Sequence, residues 1–399
     1  MTKNLRYKKE KIMSYRRVEA DINLDAIRYN IETVKALNSD DKKTCLVIKA
    51  DAYGHGSVPL AKEMDDLADY YAVATMDEAV ELRNAEITKP ILILGYTDVE
   101  DYVRAIEHNV TIAIYDKFEA EKLSETAIRL GKKAKVHIKV DSGMSRIGFQ
   151  CEESEVEKAM EVYKMEGVDV EGIFTHYAKA DYIDKSDAKK QYENFTWFVS
   201  EMENRGANFE IKHIDNSAGA MEIHSDGYNM YRLGIVIYGL YPSEEIDKSV
   251  VLKPAMTLKS KVVHIKTLHA GRGVGYGWTY TTEKDTRIAT VAVGYADGYP
   301  RALSNVGRVL INGQYAPIVG RVCMDQIMVD VTEIDKASLV KVGDEVVLFG
   351  TQGDRSISVE EVAEPANSFN YEEVCNISRR VPRVYMKNGK ECYVVNYLV

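Results

Sequence analysis

The 399-residue chain has only five cysteines, at positions 45, 151, 323, 375 and 392, and no two of them form a Cys-x-x-Cys pair. So odd and scattered a set argues against a disulfide framework and a cysteine zinc site, and fits a reducing compartment such as the cytoplasm. The eight histidines are equally dispersed, so no metal is expected. Long apolar runs are missing too: none approaches the roughly 20 residues of a bilayer span. Positive charge is in deficit, with 52 Lys and Arg against 62 Asp and Glu and a net charge of −10. Nucleic acid and anionic membranes are therefore not expected as partners, because binding phosphate over a surface takes a basic face. The one basic stretch, residues 1–17, lacks an apolar core and reads as a flexible tail rather than a secretory signal or an anchor. No internal repeat or low-complexity tract is evident.

What is present is the balance of an ordinary globular enzyme, 45% apolar and 29% charged, long enough for two domains. From residue 43 to about 240, eight short apolar runs alternate with amphipathic stretches: 44–49, 70–74, 90–94, 110–115, 134–141, 168–176, 210–216 and 230–240. Eight strand and helix units predict a (β/α)8 TIM barrel, a fold that typically needs ~250 residues. An extra strand, 18–22, with a helix at 25–37, precedes the eight and has no evident place among them; it is suspected to join a second sheet. After about residue 252 the pattern changes to period-two strands separated by Gly, Asn and Asp turns, which predicts an all-β domain with one short helix at 358–363. The expected division is a tail over 1–17, a barrel over 18–252 and a β-domain over 253–399.

Residues at the carboxyl ends of barrel strands build active sites. The segment Val47-Ile48-Lys49-Ala50-Asp51-Ala52-Tyr53-Gly54-His55-Gly56 puts a lysine at the end of the first strand. An amine held near apolar walls has a lowered pKa and becomes a nucleophile, although a surface lysine at a strand end is the plainer alternative. The fifth strand carries Lys139 and leads to Arg146. The sixth ends at His176, the seventh at Asn216-Ser217, and the eighth carries Arg232 before Gly234. So many cations in one pocket of an acidic protein suggest a bound anion. Gly271 to Gly277 lie between no strand and helix, so they predict a β-turn rather than a nucleotide loop, and the turn presents Tyr276.

These residues closely resemble the alanine racemase family over nearly the whole chain, from Glu19 to Arg383. The resemblance rests on the Lys49 segment, on Lys139-Val140-Asp141-Ser142-Gly143-Met144-Ser145-Arg146-Ile147-Gly148, on Gly294-Tyr295-Ala296-Asp297-Gly298-Tyr299 and on Gly320-Arg321-Val322-Cys323-Met324-Asp325-Gln326; several motifs in order are far more specific than any one. It implies pyridoxal 5′-phosphate (PLP) as cofactor, carried covalently by Lys49, which then acts as one catalytic base. It implies Tyr276 of the other subunit as the second base on the opposite face, hence a homodimer with shared active sites. A tyrosine with pKa near ~10 needs nearby cations for that work. By the same resemblance Tyr53, Ser217, Tyr371 and the backbone at Gly234 and Ile235 hold the phosphate. Arg232 lies at the pyridine nitrogen, oriented by His176, and Arg146 and Met324 bind the substrate carboxylate. Tyr295 and Asp325 line the access route. Lys139 matches a lysine carbamylated in the family, which would fix Arg146; the alternative is an unmodified lysine paired with Asp141 or another acid. The implied reaction interconverts L- and D-alanine and supplies D-alanine for peptidoglycan. Serine or broader amino-acid racemisation is the alternative; Tyr371 favours a small side chain, whereas Lys179 departs from the residue expected at its position. A PLP carrier resembles the barrel alone, and a PLP decarboxylase on this barrel is expected to carry an acid where Arg232 stands.

Overall fold

The computed structural model describes residues 16–334 and 339–399. They divide into two compact units, Ala26–Lys253 and the described residues up to Asp25 together with Pro254–Val399. Strand β1 (Val18–Asn23) belongs to the latter. The barrel follows: β2 (Lys43–Val47), β3 (Tyr70–Val73), β4 (Ile91–Ile93), β5 (Thr111–Ile114), β6 (Ala134–Asp141), the two-residue β7 (Phe149–Gln150), β8 (Val168–Phe174), β9 (Ile211–His213) and β10 (Met230–Leu233). Eight of these strands pair in parallel around a ring, closed by β5 against β6 and β10 against β2, with β7 a short addition beside β6. This is the TIM barrel read from the sequence.

Strands β3 and β4 are buried at every residue, which explains their unbroken apolar runs. Some of the helices are started by side chains that bond their first amides. Thr75 and Glu78 form a capping box at Met76–Asn84, and Asp116 accepts from Phe118 N at 2.8 Å at the head of Lys117–Arg129. The latter helix buries Ala120, Leu123 and Ala127, one stripe at three- and four-residue spacing. The strands are shorter than the apolar runs. The run 230–240 stops being strand at Leu233, because Gly234 turns the chain into the 3-10 helix Ile235–Tyr238.

In the second unit β1 lies between β11 (Met256–Leu268), antiparallel, and β20 (Arg383–Lys387), parallel. The remaining strands are β12 (Gly273–Val274), β13 (Tyr280–Thr281), β14 (Thr286–Val291), β15 (Arg308–Ile311), β16 (Gln314–Pro317), β17 (Ile327–Asp330), β18 (Glu345–Gln352), β19 (Arg355–Ile357) and β21 (Lys390–Val395). Residues 18–25 are thus not part of the barrel. The alternation of β1 says why: Val18, Ala20 and Ile22 are buried while Glu19 and Asp21 are partly exposed, the pattern of a sheet with one covered face. Two further expectations need correction. Residues 1–15 of the expected tail lie outside the described residues, but Arg16 pairs with Glu19 and Glu391, and Arg17 with the buried Asp297, so 16 and 17 are tied down. A second helix, Asn370–Cys375, accompanies the predicted one, observed at Val359–Ala363.

Candidate active site

Lys49 lies just past β2 rather than on it, partly buried, and its neighbours adopt an unusual backbone. Ala50, Asp51, Ala52 and Tyr53 all have φ between 51° and 53°, a full left-handed turn made without glycine. Left-handed helix costs an L-residue roughly 1–2 kcal/mol, so other bonds must hold it. Ala52 N donates to Ile48 O at 2.9 Å, Gly56 N to Asp51 O at 2.8 Å, Ala50 N to Glu78 Oε1 at 2.7 Å and Ser57 N to Asp51 Oδ1 at 2.8 Å. The turn sets Lys49 at its start and delivers Tyr53 at its end.

Tyr53 meets Ser217 and Gly234. The Gly234 amide donates to Ser217 Oγ at 2.9 Å. A Cβ on Gly234 would stand 3.1 Å from the Tyr53 hydroxyl and 3.7 Å from Ser217 Oγ. Two hydroxyls therefore converge on a spot kept open by a missing side chain, with Ile235 opening the next turn. Ser217 in turn starts the helix Ser217–Glu222, whose cap is Asn216. Hydroxyls around bare backbone suit a phosphate.

Arg232, on β10, is 2% exposed. Its guanidinium donates to His213 Nδ1 (2.8 Å), His176 Nδ1 (3.1 Å), Thr175 O (2.9 Å) and Ile214 O (3.0 Å). Burial lowers its pKa to about 10, so it stays a cation at neutral pH. Lys139 is also buried, and its ammonium donates to Val140 O (2.6 Å) and Ile147 O (3.3 Å). Desolvation first, then nearby Arg232 and Arg146, overcome the pull of Asp141 and bring Lys139 to about 7. Asp141 is not its hydrogen-bond partner. The Asp141 carboxylate instead accepts from the amides of Gly143, Met144, Ser145 and Arg146 at 2.9–3.1 Å, and so shapes the loop that carries Arg146 to the surface. Lys179 pairs with Asp187 on the exterior, at 2.6 Å.

The other expected site residues lie in the β-unit. Gly273 and Val274 pair with Thr281 and Tyr280, a hairpin whose turn, Tyr276–Trp278, holds Tyr276 72% exposed. Glycine is required there: a Cβ on Gly273 would fall 2.4 Å from the Trp278 ring. Met324 is half exposed, and its carbonyl accepts from Ala296 N at 3.1 Å, next to Tyr295 N on Cys323 O at 3.0 Å. Asp325 accepts from Arg380 at 2.7 Å. Tyr371, on the second helix, packs at 5.3 Å from Phe369. The sequence reading missed the centre of this region, the buried Asp297 gripped by Arg17 and Arg380. It also missed His213 beside Arg232. The signal for His213 was a polar residue on a buried barrel strand, as with Lys135, His137 and Lys139 at alternate positions of β6.

Cationic side chains at the carboxyl ends of a TIM barrel, joined in sequence to a β-unit with an exposed tyrosine turn, define the class. The model for the N-terminal domain of alanine racemase matches residues 22–242, and that for its C-terminal domain residues 255–385. The chain belongs to the alanine racemase family, a family of isomerases. Alanine racemase 2 of Caldanaerobacter subterraneus subsp. tengcongensis is 44% identical over 96% of this chain and 98% of its own. The solved alanine racemase of Clostridium difficile 630 matches with a TM-score of 0.93 at 46% identity, covering 98% of this chain and all of its own. Alanine racemase from Bacillus anthracis with bound L-Ala-P matches at 0.90 and 39% identity, covering 96% and 99%.

Proposed function

We propose that this chain interconverts L- and D-alanine with PLP, using Lys49 and Tyr276 of the partner subunit as bases on opposite faces of the substrate. The observation that carries the reading is the open spot bounded by Tyr53, Ser217 and Gly234 beside the Lys49 turn, with a buried arginine on the same barrel strand as Gly234's neighbour. The names of its relatives, and the L-Ala-P bound to the Bacillus anthracis protein, support the choice of alanine.

Tyr53, Ser217 and the backbone at Gly234 and Ile235, with Tyr371, would hold the phosphate. The cofactor, when bound, withdraws electrons from the substrate Cα and makes its proton labile. Lys49 takes or returns that proton on one face and Tyr276 on the other, which is why a single subunit is insufficient. Arg232 keeps its own proton, being buried among neutral acceptors, and so would leave the pyridine nitrogen of a bound cofactor unprotonated; the weaker electron withdrawal would favour plain proton exchange over side reactions. Arg146, with the Met324 backbone, binds the substrate carboxylate. Lys139, whose ammonium burial brings down to about 7, is competent to form the family's carbamate and so fix Arg146. Tyr295 and Asp325 line the access route. Five cysteines, odd in number and scattered along the chain, support a reducing cytoplasm, where D-alanine would serve peptidoglycan.

The test is incubation of the PLP-loaded protein with L-alanine or L-serine in D₂O, following optical rotation and deuterium at Cα. Racemisation of alanine with exchange supports the reading. Faster serine turnover reassigns the substrate, and bound PLP without exchange refutes racemase function.

A further inference from the structure

Barrels of this size fill their interior with layers of branched apolar side chains. This one carries a polar column. Arg232 donates to His213 Nδ1, His213 Nε2 lies 2.9 Å from His137 Nδ1, and His137 Nε2 faces Glu171 Oε2 at 3.6 Å. The last nitrogen is buried and has no hydrogen-bond partner. Glu171 sits toward the amino ends of the strands, where it accepts from Tyr70, first residue of β3, at 2.6 Å and from Thr111, first of β5, at 3.4 Å. Lys135, near the start of β6, stands 3.6 Å away.

Two backbone features build the column. The β6–β8 register pairs Val136 with Val170 and His137 with Gly172, so Glu171 is the extra residue of a bulge, a device that re-aims a side chain. Gly172 leaves room for the imidazole, since a Cβ there would come within 2.9 Å of His137 and 2.8 Å of Ile211 O.

Proton placement follows by elimination. Arginine only donates, so His213 Nδ1 accepts and a neutral His213 carries its proton on Nε2. His137 Nδ1 then accepts, and its proton is on Nε2, aimed at Glu171. Burial, then the charge of Arg232, hold His213 well below its ordinary pKa; burial also lowers His137, against the pull of Glu171. For Glu171, burial acts upward, but the nearby His137 ring, the bond from Tyr70 and the charge of Lys135 bring it down to about 2. The column therefore runs from a cation to an anion through two neutral rings. The acceptors touching Arg232 are themselves all neutral.

We propose that Glu171, toward the opposite end of the barrel from Lys49, is a positioning residue that acts through His137 and His213, whose tautomers Arg232 sets, as the remote counter-ion of Arg232. Its negative end draws positive density from the guanidinium and damps the field Arg232 exerts on its surroundings. The inference rests on the racemase reading only in placing the PLP ring at Arg232; the tautomers belong to the chain itself.

The experiment compares native holoenzyme with Glu171→Gln and Glu171→Leu. Ring ¹⁵N NMR reads the tautomers, the bound PLP absorption band reads the field, and steady-state kinetics read the consequence. Native, Gln and Leu enzymes should all show Nε2–H on His137 and His213, because Arg232 sets that order from its own end. The PLP band should shift in both variants, since neither carries the charge. In the Leu variant kcat should fall about tenfold, the scale seen for outer partners of metal-bound histidines, with KM within about twofold, and Gln, equally neutral, should recover little of the loss. An unshifted band and unchanged kcat in Leu would overturn the proposal. If Leu does not fold, an unshifted band in Gln overturns it instead. Native enzyme with the stated tautomers but no racemisation would sink the functional reading and leave the column standing; racemisation with Nδ1–H on His213 would do the reverse.

Discussion

Replacing Gly234 with alanine is the sharpest probe of the anion cradle. The new methyl would sit 3.1 Å from the Tyr53 hydroxyl and 3.7 Å from Ser217 Oγ, in the space where a phosphate oxygen would have to approach both. A hydroxyl reaches an anionic oxygen at about 2.7 Å, so the methyl and the anion cannot share the spot. At least one hydrogen bond to a charged group is lost, worth about 1.5–3 kcal/mol, which is roughly 10- to 150-fold in PLP affinity. The fold loses less: the contact is with the end of a side chain, a cost of ~1 kcal/mol, and the Gly234 amide keeps its bond to Ser217. Titration of cofactor-free native and variant protein with PLP, followed by absorbance, measures the difference, with thermal melting as the control. Inorganic phosphate should compete with PLP in the native protein and far less in the variant. If Gly234→Ala bound PLP within about twofold of native while melting normally, the phosphate would have to sit elsewhere.

Tyr276→Phe should abolish exchange started from one alanine enantiomer while sparing Cα deuteration of the other; a loss of roughly 10²–10⁴-fold on one side only is expected, and equal rates from both enantiomers would dismiss the two-base assignment. Ala50→Gly, at an exposed left-handed position, should stabilise the barrel by about 0.5–1 kcal/mol in urea unfolding, because relief of strain outweighs the extra freedom of the unfolded chain; a destabilisation would mean the turn is not strained. Glu171 has a native pKa depressed to about 2, so its contribution is complete above the unfolded value near ~4.3 and is lost as pH falls through the native one. The stability gap between native and Glu171→Gln should accordingly shrink from pH 6 to pH 3, and a gap constant with pH would refute that ionisation. Lys139→Met should remove a carbamate carbonyl signal from protein equilibrated with ¹³C-bicarbonate; no signal in native protein would leave Lys139 unmodified.

Much of this was legible in the sequence because it depends on period and position. Eight buried runs between amphipathic helices announce the barrel, and strand-end residues such as Arg232 and His176 declare themselves by where they fall. The turn around Tyr276 was legible from its glycines. What escaped depends on conformations and contacts that one chain does not spell out. Nothing in Ala50-Asp51-Ala52-Tyr53 signals a left-handed turn, since alanine is the best helix former and glycine the usual left-handed residue. Asp141 looked like a partner for Lys139, but its carboxylate is claimed by the backbone of its own loop, the habit of Asp at a turn. Glu171 faces inward only because a bulge breaks the alternation that would have told the reader which way it points. Arg17 was read with its basic neighbours, although its destination, Asp297, lies 280 residues along the chain.

The position of β1 has a consequence for synthesis. It is made before β11 and β20, with which it pairs and which leave the ribosome long after. At about 5–20 residues per second those partners trail it by tens of seconds, during which the intervening stretch Ala26–Lys253 can fold around its own core. An unpaired strand with three apolar residues that are buried once folded is left waiting on the nascent chain, open to sticking to a neighbour on the same message. Fusing β1 directly ahead of Pro254, with the barrel excised, would spare the β-unit that delay and should let it assemble by itself.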